Sequence, residues 1–336
     1  MQRRQFLKQT LALSGLASLE LLPWQSVNAL AKEVELFVRG PAVKDHPLMQ
    51  LSKHVWYIYS PDGFPTPENQ GMMCNLTFVD TAKGLVVLDS GASVQIGEMA
   101  VRQLKKRFKK PVVAIFNSHY HGDHWLGNQA FVEAYGEMPI YAHAGTMEAI
   151  KGMEGNTWRT LMEKWTNQAT AGTQVVPPNQ VVQHGQELSF GDVVLRVHHY
   201  GKAHTPSDIC VEVPDDKLTH IGDVAMDRRI ANMDDGSYAG TLETYVALEK
   251  NAASKIWVPG HGKPGPGVLA WNRELFAGIY ENCLNAIKAG ETQEAAKQAV
   301  LRDARVRSRA KDTKGFEANI GKYISLAYLE AEAAAF

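Results

Sequence analysis

Cysteine is scarce in this chain. Three are spread over 336 residues, at positions 74, 210 and 283, an odd and scattered set that supports no disulfide framework. Neither sign of charge prevails, with 35 basic and 36 acidic residues. The basic excess that nucleic-acid binding asks for is missing, and so is the acidic tail of a disordered segment. There is no basic patch with interleaved aromatics, no serine-triad motif and no low-complexity linker. No apolar run reaches the length of about 18 residues that a membrane span needs. What is present is 45% hydrophobic residues, ample for a core, in a chain long enough for one large domain or two.

The first residues are written differently from the rest. Arg3-Arg4-Gln5-Phe6-Leu7-Lys8 precedes an apolar run from Leu11 to Leu22 that Ser14, Gly15, Ser18 and Glu20 interrupt, and Val27-Asn28-Ala29 offers a small-x-small cleavage site. The pattern resembles a twin-arginine export signal. It implies that residues 1–29 are removed, that the export machinery is a partner, and that the mature protein is periplasmic with no stable membrane insertion. That route carries folded proteins, so a metal could be acquired before export and no disulfides are needed.

Beyond the signal, strands are expected over Glu35–Arg39, Val55–Tyr59, Leu76–Asp80, Leu85–Leu88, Val112–Phe116 and Ile140–His143, with helices over Val94–Phe108, Trp125–Tyr135 and residues 145–170. A second strand-rich stretch runs through Glu187–Phe190, Val193–His199, Ile209–Val213 and Leu218–Ile221, then a helix near Thr241–Lys250 and a strand over Ile256–Val258. After Gly267 the pattern is helical, with breaks at Gly290 and Asp312–Gly315. Ser60 to Pro67, rich in Pro and Gly, reads as a loop with Phe64 at its tip.

The chemistry is concentrated in His119-Tyr120-His121-Gly122-Asp123-His124. Four metal-capable side chains fall within six residues, at the end of a strand that holds them in place. Imidazole suits zinc and iron, and a carboxylate among the imidazoles points to a catalytic rather than a structural site. Three later clusters place further donors in glycine-bearing turns: Gly201 to Asp208 with His204, Ile221-Gly222-Asp223, and Val258-Pro259-Gly260-His261-Gly262. Glycine lets the backbone approach a crowded centre.

With Leu88-Asp89-Ser90-Gly91 these motifs appear in the order found in the metallo-β-lactamase-fold hydrolase superfamily, which the chain resembles over roughly residues 34–267. The resemblance implies an α+β fold, a four-layer αββα sandwich. The domain would span residues 30–267, and 268–336 would form a C-terminal helical extension packed on the same body. It implies that His119, His121 and His204 bind one metal, that Asp123, His124 and His261 bind a second, that Asp223 bridges them, and that Asp89 orients a ligand by hydrogen bond. Two zinc ions about 3.5–4 Å apart could share a hydroxide that attacks a carbonyl carbon, with Asp123 relaying a proton.

The implied function is a periplasmic dinuclear zinc hydrolase acting on a small ester, thioester, lactone or amide. Zinc β-lactamases of the superfamily usually carry cysteine or serine at the position of Asp223, so β-lactam hydrolysis is disfavoured. Two other readings stay open. Persulfide dioxygenases share the fold and the histidine run but hold one iron. Some exported members accompany quinoprotein dehydrogenases or sulfur-oxidation systems, and Leu126 to Phe131 and the tail near Tyr323–Glu332 look similar to that branch.

The remaining candidates have plainer readings. His143 could reach the site but is expected to be structural. His198 and His199 face opposite ways on a strand. His46, His54, His184 and His220 are expected at the surface or as satisfied core residues. Trp158, Trp165, Met147 and Met162 fit a core better than a lid, and Phe64 fits either a substrate-covering flap or a hairpin tip. Cys210 and Cys283 read as core, and Cys74 alone could line a cleft.

Overall fold

The computed structural model describes residues 38–61, 63–230 and 232–335. The export signal, its cleavage after Ala29 and most of the strand expected over Glu35–Arg39 lie outside the described residues.

Two sheets form the centre. The first runs β1 (Leu48–Gln50), β2 (Val55–Ile58), β3 (Leu76–Thr81), β4 (Gly84–Leu88), β5 (Val112–Phe116), β6 (Ile140–Ala142) and β7 (Gln180–Val181) in that spatial order. It is antiparallel up to β4 and parallel from β4 onward. The second is β8 (Glu187–Ser189), β9 (Val194–His198), β10 (Cys210–Val213), β11 (Leu218–Gly222) and β12 (Ile256–Pro259), antiparallel except for the parallel β11–β12 pair.

Both sheets are covered on both faces, which explains why their strands read as nearly continuous apolar runs. The two-residue period decides which face each side chain serves. On β4, Val86 and Leu88 point between the sheets, where they meet Leu195, Val197, Val211 and Val258. Leu85 and Val87 point outward against Ile96, Met99, Leu104 and Phe131. Each fully buried side chain of this kind stabilises by roughly 1.5–3 kcal/mol.

The outer layers are helical. On the first sheet lie α1 (Val94–Arg107), α2 (Asn128–Tyr135), α3 (Ala144–Lys151) and α4 (Met153–Trp165). Ser93 opens α1 by accepting from the Ile96 amide, and Lys105, Lys106 and Arg107 suit its negative end. On the second sheet lie α5 (Tyr238–Asn251), α6 (Val268–Lys288), α7 (Gln293–Arg302), α8 (Ala304–Ala310) and α9 (Phe316–Ala335). The order helix, sheet, sheet, helix is the four-layer α+β sandwich, and the C-terminal extension is part of its outer layer. Among the described residues no helix is long and apolar enough to cross a membrane.

Three local departures from the sequence pattern bear on the site. The helix expected from Trp125 begins at Asn128, because Gly122–His124 is spent on a 3-10 turn that carries Asp123 and His124. The helix expected over 145–170 breaks at Gly152 into α3 and α4 and ends at Trp165. His143, read as the end of a strand, instead caps α3 by accepting from the Gly145 amide.

Candidate metal centre

Four strands end at one edge of the sandwich. Asp89 follows β4, His119 follows β5, Asp223 follows β11 and His261 follows β12. Strand ends fix backbone positions tightly, so residues far apart in sequence converge there. The structure brings all seven predicted donors together and buries them. Their ligand atoms form three overlapping groups: His119, His121 and His204; His119, His124 and Asp223; and Asp123, His124 and His261.

Distances show which atoms face inward. His204 Nε2 is 3.0 Å from His121 Nδ1. Asp123 Oδ2 lies 3.3 Å from His124 Nε2 and 3.1 Å from His261 Nε2. Asp223 Oδ2 lies 3.2 Å from His261 Nε2, 3.6 Å from His204 Nε2 and 4.0 Å from His119 Nε2. Its Oδ1 is 3.4 Å from His124 Nε2. Glycine is required for this crowding: a Cβ on Gly260 would sit 2.2 Å from Asp223 Oδ1.

Hydrogen bonds on the outer side set the tautomers. Ser118 Oγ donates to Asp89 Oδ2 at 2.8 Å, so it must accept from His119 Nδ1 at 2.9 Å. Asp89 Oδ2 also takes His124 Nδ1 at 2.8 Å and His220 Nε2 at 3.0 Å, and Asp89 Oδ1 accepts from the Ser118 amide. The carbonyl of Met73 accepts from His261 Nδ1 at 2.7 Å, and Asp235 Oδ2 faces His121 Nε2 at 3.2 Å. In their neutral forms four imidazoles thereby present an inward nitrogen lone pair: Nε2 of His119, His124 and His261, and Nδ1 of His121.

Electrostatics reflect five histidines facing buried carboxylates. Burial would raise the carboxyls of Asp123 and Asp223, but His124 and His261 outweigh it and hold both well below the usual range. Asp89 is depressed likewise, by His124 and His220 against burial. Burial also works against protonation of His124, yet Asp123, Asp223 and Asp89 carry it well above the ordinary histidine value. His261 is raised by Asp223 and Asp123 against the same penalty. His119 falls well below its ordinary value, and His204 falls to about 3, through burial and then neighbouring imidazoles.

These residues fit divalent metal ions. His119 Nε2, His124 Nε2 and Asp223 Oδ1 are buried and have no hydrogen-bond partner, an expensive condition for polar atoms and one that a cation would relieve. The donor set is imidazole and carboxylate, which suits zinc or iron.

Sequence reasoning had not placed Ser118, His220, Asp235 or Met73 around the ligands; His220 was grouped with satisfied core residues and is one, its partner being Asp89. His143 stacks on His199 at 4.2 Å, and His199 Nδ1 holds the Asp208 carbonyl, so both brace the loop that carries His204. His198 is paired with Glu212 and His54 with Asp216, away from the centre. Met162 is core, but Trp158 packs on the His121 ring at 4.9 Å and leads through Trp165 to Phe64, forming an aromatic wall beside the ligands. All three cysteines are buried and free. Cys74 touches the Asp123 carbonyl, and burial pushes its thiol well up.

Comparison with known proteins agrees with this geometry. A family model described as the metallo-beta-lactamase superfamily matches residues 69–287. The chain is similar to a metallo-beta-lactamase type 2 of Bacillus sp. (strain 170), 24% identical over 281 residues, which are 82% of this chain and 100% of that protein. It is also similar to the linear primary-alkylsulfatase of Pseudomonas sp. (strain ATCC 19151), 21% identical over 253 residues and 64% of this chain. This chain spans 48% of that alkylsulfatase's length. The solved structure of a stereoselective inverting sec-alkylsulfatase from Pseudomonas sp. superposes with a TM-score of 0.66 at 18% identity, covering 84% of this chain and 50% of that one.

Proposed function

The chain belongs to the metallo-beta-lactamase superfamily, whose relatives here are metal-dependent hydrolases, and on that premise we propose that it is a two-zinc hydrolase of ester-type bonds. The observation that carries this reading is the reach of Asp223, whose carboxylate lies against His119 and His204 on one side and His124 and His261 on the other. A single ion would need one trio of donors; seven donors sharing one carboxylate suit two. His119, His121 and His204 would hold one ion and Asp123, His124 and His261 the other. Bound there, zinc supplies Lewis acidity and lowers the pKa of a water toward about 7.

The chain's own residues do the rest. Asp89, Ser118, Asp235 and the Met73 carbonyl hold four imidazoles in the tautomers that present lone pairs inward. Asp123, buried between His124 and His261, is the group proposed to carry a proton from nucleophile to leaving group. Trp158, against His121, keeps bulk water from that side.

The proposed substrates are small esters, thioesters, lactones or amides, and the alkylsulfatase relatives add sulfate esters. Asp223 stands where zinc β-lactamases usually carry cysteine or serine, which puts β-lactams behind esters in spite of the β-lactamase relative. The same proposal places the enzyme in the periplasm, supported by the arginine pair at residues 3 and 4. Metal analysis followed by parallel assays on a thioester, a lactone, a sulfate ester and a β-lactam tests it. Two zincs per chain with ester-type turnover are expected. One iron per chain with oxygen uptake on a persulfide would overturn it.

A further inference from the structure

The two trios of donors are braced differently from behind. His124 Nδ1 meets Asp89 Oδ2 at 2.8 Å, and that carboxylate has no exposed surface. His261 Nδ1 donates to the carbonyl of buried Met73 at 2.7 Å. In the trio of Asp123, His124 and His261, each imidazole therefore has a short, buried acceptor behind it. The trio of His119, His121 and His204 has less. His119 Nδ1 rests on Ser118 Oγ at 2.9 Å. His121 Nε2 faces Asp235 Oδ2 at 3.2 Å, but 45% of the Asp235 side chain is exposed, so water and salt screen it. His204 Nδ1 is buried and has no hydrogen-bond partner.

That orphan nitrogen decides a tautomer. A neutral imidazole carries one N–H. With no acceptor at Nδ1, His204 is best satisfied with its proton on Nε2, and His121 Nδ1 lies 3.0 Å away to receive it. His121 is free to accept because its own proton sits on Nε2, towards Asp235. In the metal-free protein these two ligand atoms thus satisfy each other. An ion entering between them must break that hydrogen bond and send the His204 proton to Nδ1, where a buried donor without an acceptor is costly. His124 and His261 face no such exchange, since their outward nitrogens already have acceptors. Charge acts in the same direction. One trio is all imidazole, whereas the other brings the carboxylate of Asp123 to a doubly charged ion. His124 does surrender a proton there, but the carboxylates that hold it, Asp123, Asp223 and Asp89, attract a divalent ion more strongly than a single charge.

We propose that the two metal positions are unequal: the position of Asp123, His124 and His261 fills first and holds tightly, the three-histidine position is weaker and exchangeable, and Asp235 is the positioning residue that sets its affinity. The chain would then pass from a one-ion to a two-ion form as zinc becomes available. This inference rests on the two-ion reading of the site.

Titration of the metal-free full chain with zinc at pH 7, read by calorimetry and by competition with a chromophoric chelator, tests it. Two steps separated by about 10- to 100-fold in affinity are expected. His261→Ala should remove the tight step and His204→Ala the weak one. Asp235→Asn should weaken the second step alone, by about 10- to 100-fold, and Asp235→Glu should restore part of the loss. The melting temperature of each metal-free variant separates lost binding from lost folding. Nitrogen-15 NMR of the histidine side chains reads the tautomers in the unaltered protein: His204 should carry its proton on Nε2 without metal and on Nδ1 after the second equivalent of zinc. Two equal steps, loss of the tight step in a folded His204→Ala protein, an Asp235→Asn protein with both steps intact, or a His204 that holds its proton on Nδ1 without metal overturns the proposal. A single ion at saturating zinc, removed by His261→Ala and kept by His204→Ala, overturns the two-ion reading and leaves the assignment of the tight position standing.

Discussion

At Asp89 two carboxylate oxygens meet four donors, two of them imidazoles, with no exposed surface. The residue has a φ of 61°, uncommon outside glycine but tolerated by aspartate, and this turns the carboxylate back under the ligands. Asp89→Asn keeps the shape and removes the charge. It leaves His124 and His220 beside a neutral amide whose NH2 must face a donor. Breaking one partner out of a buried charged network costs about 3–5 kcal/mol, and loss of a group that orients a metal ligand costs 10- to 100-fold in affinity, to order of magnitude. The expected outcome is a clear drop in melting temperature and weaker zinc retention in a competition with a chelator. A variant with full zinc affinity would remove Asp89 from the role given to it. The seven donors that the structure brings together were legible because they are of metal-binding type and sit in tight spacing or in glycine turns after strands. Asp235 and His220 were not: His121 and Asp235 lie 114 positions apart, and Asp89 and His220 lie 131 apart, and a lone aspartate in a loop carries no pattern.

The segment between β11 and α5 carries Arg229, Met233 and Asp235, and the C-terminal helices hold it from outside. Glu330 on α9 accepts from Ser237 Oγ at 2.7 Å, from the Tyr238 amide at 2.7 Å and from the Ala239 amide at 3.1 Å, serving as a carboxylate cap for the start of α5. Tyr238 Oη donates to the Tyr323 carbonyl, and the Ile230 amide reaches the Lys314 carbonyl. Glu330→Ala removes the cap at a cost of about 1–2 kcal/mol. It should also loosen Asp235 and so His121. Zinc titration of this variant should show one weakened and one unchanged site; two unchanged sites would confine Glu330 to stability. Most elements of the sandwich could be read from apolar runs. β1 and β7 could not, because they are three and two residues long and owe their existence to a neighbouring strand. The missed break at Gly152 has a different cause: apolar positions continue across it, and the turn lets α3 bury Ile150 in the core beneath the first sheet while α4 brings Trp158 against His121. Periodicity reports burial and not direction.

Folding and metal binding are linked through protons held by the centre, and the sign of each contribution can be worked out for the metal-free protein. His119 and His204 have folded pKa values below the ordinary 6.5. They contribute stability above 6.5 and lose it as pH falls toward their folded values, which for His204 is about 3. His124 and His261 are raised, so they contribute fully below 6.5 and lose that contribution as pH climbs through their folded values. Asp208, which burial lifts to about 7 against hydrogen bonds from Thr205, also loses stability as pH rises from 3.8. Asp89, Asp123 and Asp223 are depressed and fail only in stronger acid, below 3.8. The metal-free protein should therefore be most stable near the ordinary histidine value of about 6.5, with the melting temperature falling in both directions. Zinc needs every ligand nitrogen deprotonated. His119 and His204 lie below the ordinary histidine value and His124 lies well above it, so of these three only His124 should give up a proton when zinc binds at pH 7. Titration calorimetry in buffers of different ionisation enthalpy reads that number directly, and the zinc-loaded protein should have its stability maximum moved above pH 7. A release near zero, or a maximum that zinc leaves in place, would mean that His124 does not carry the proton assigned to it.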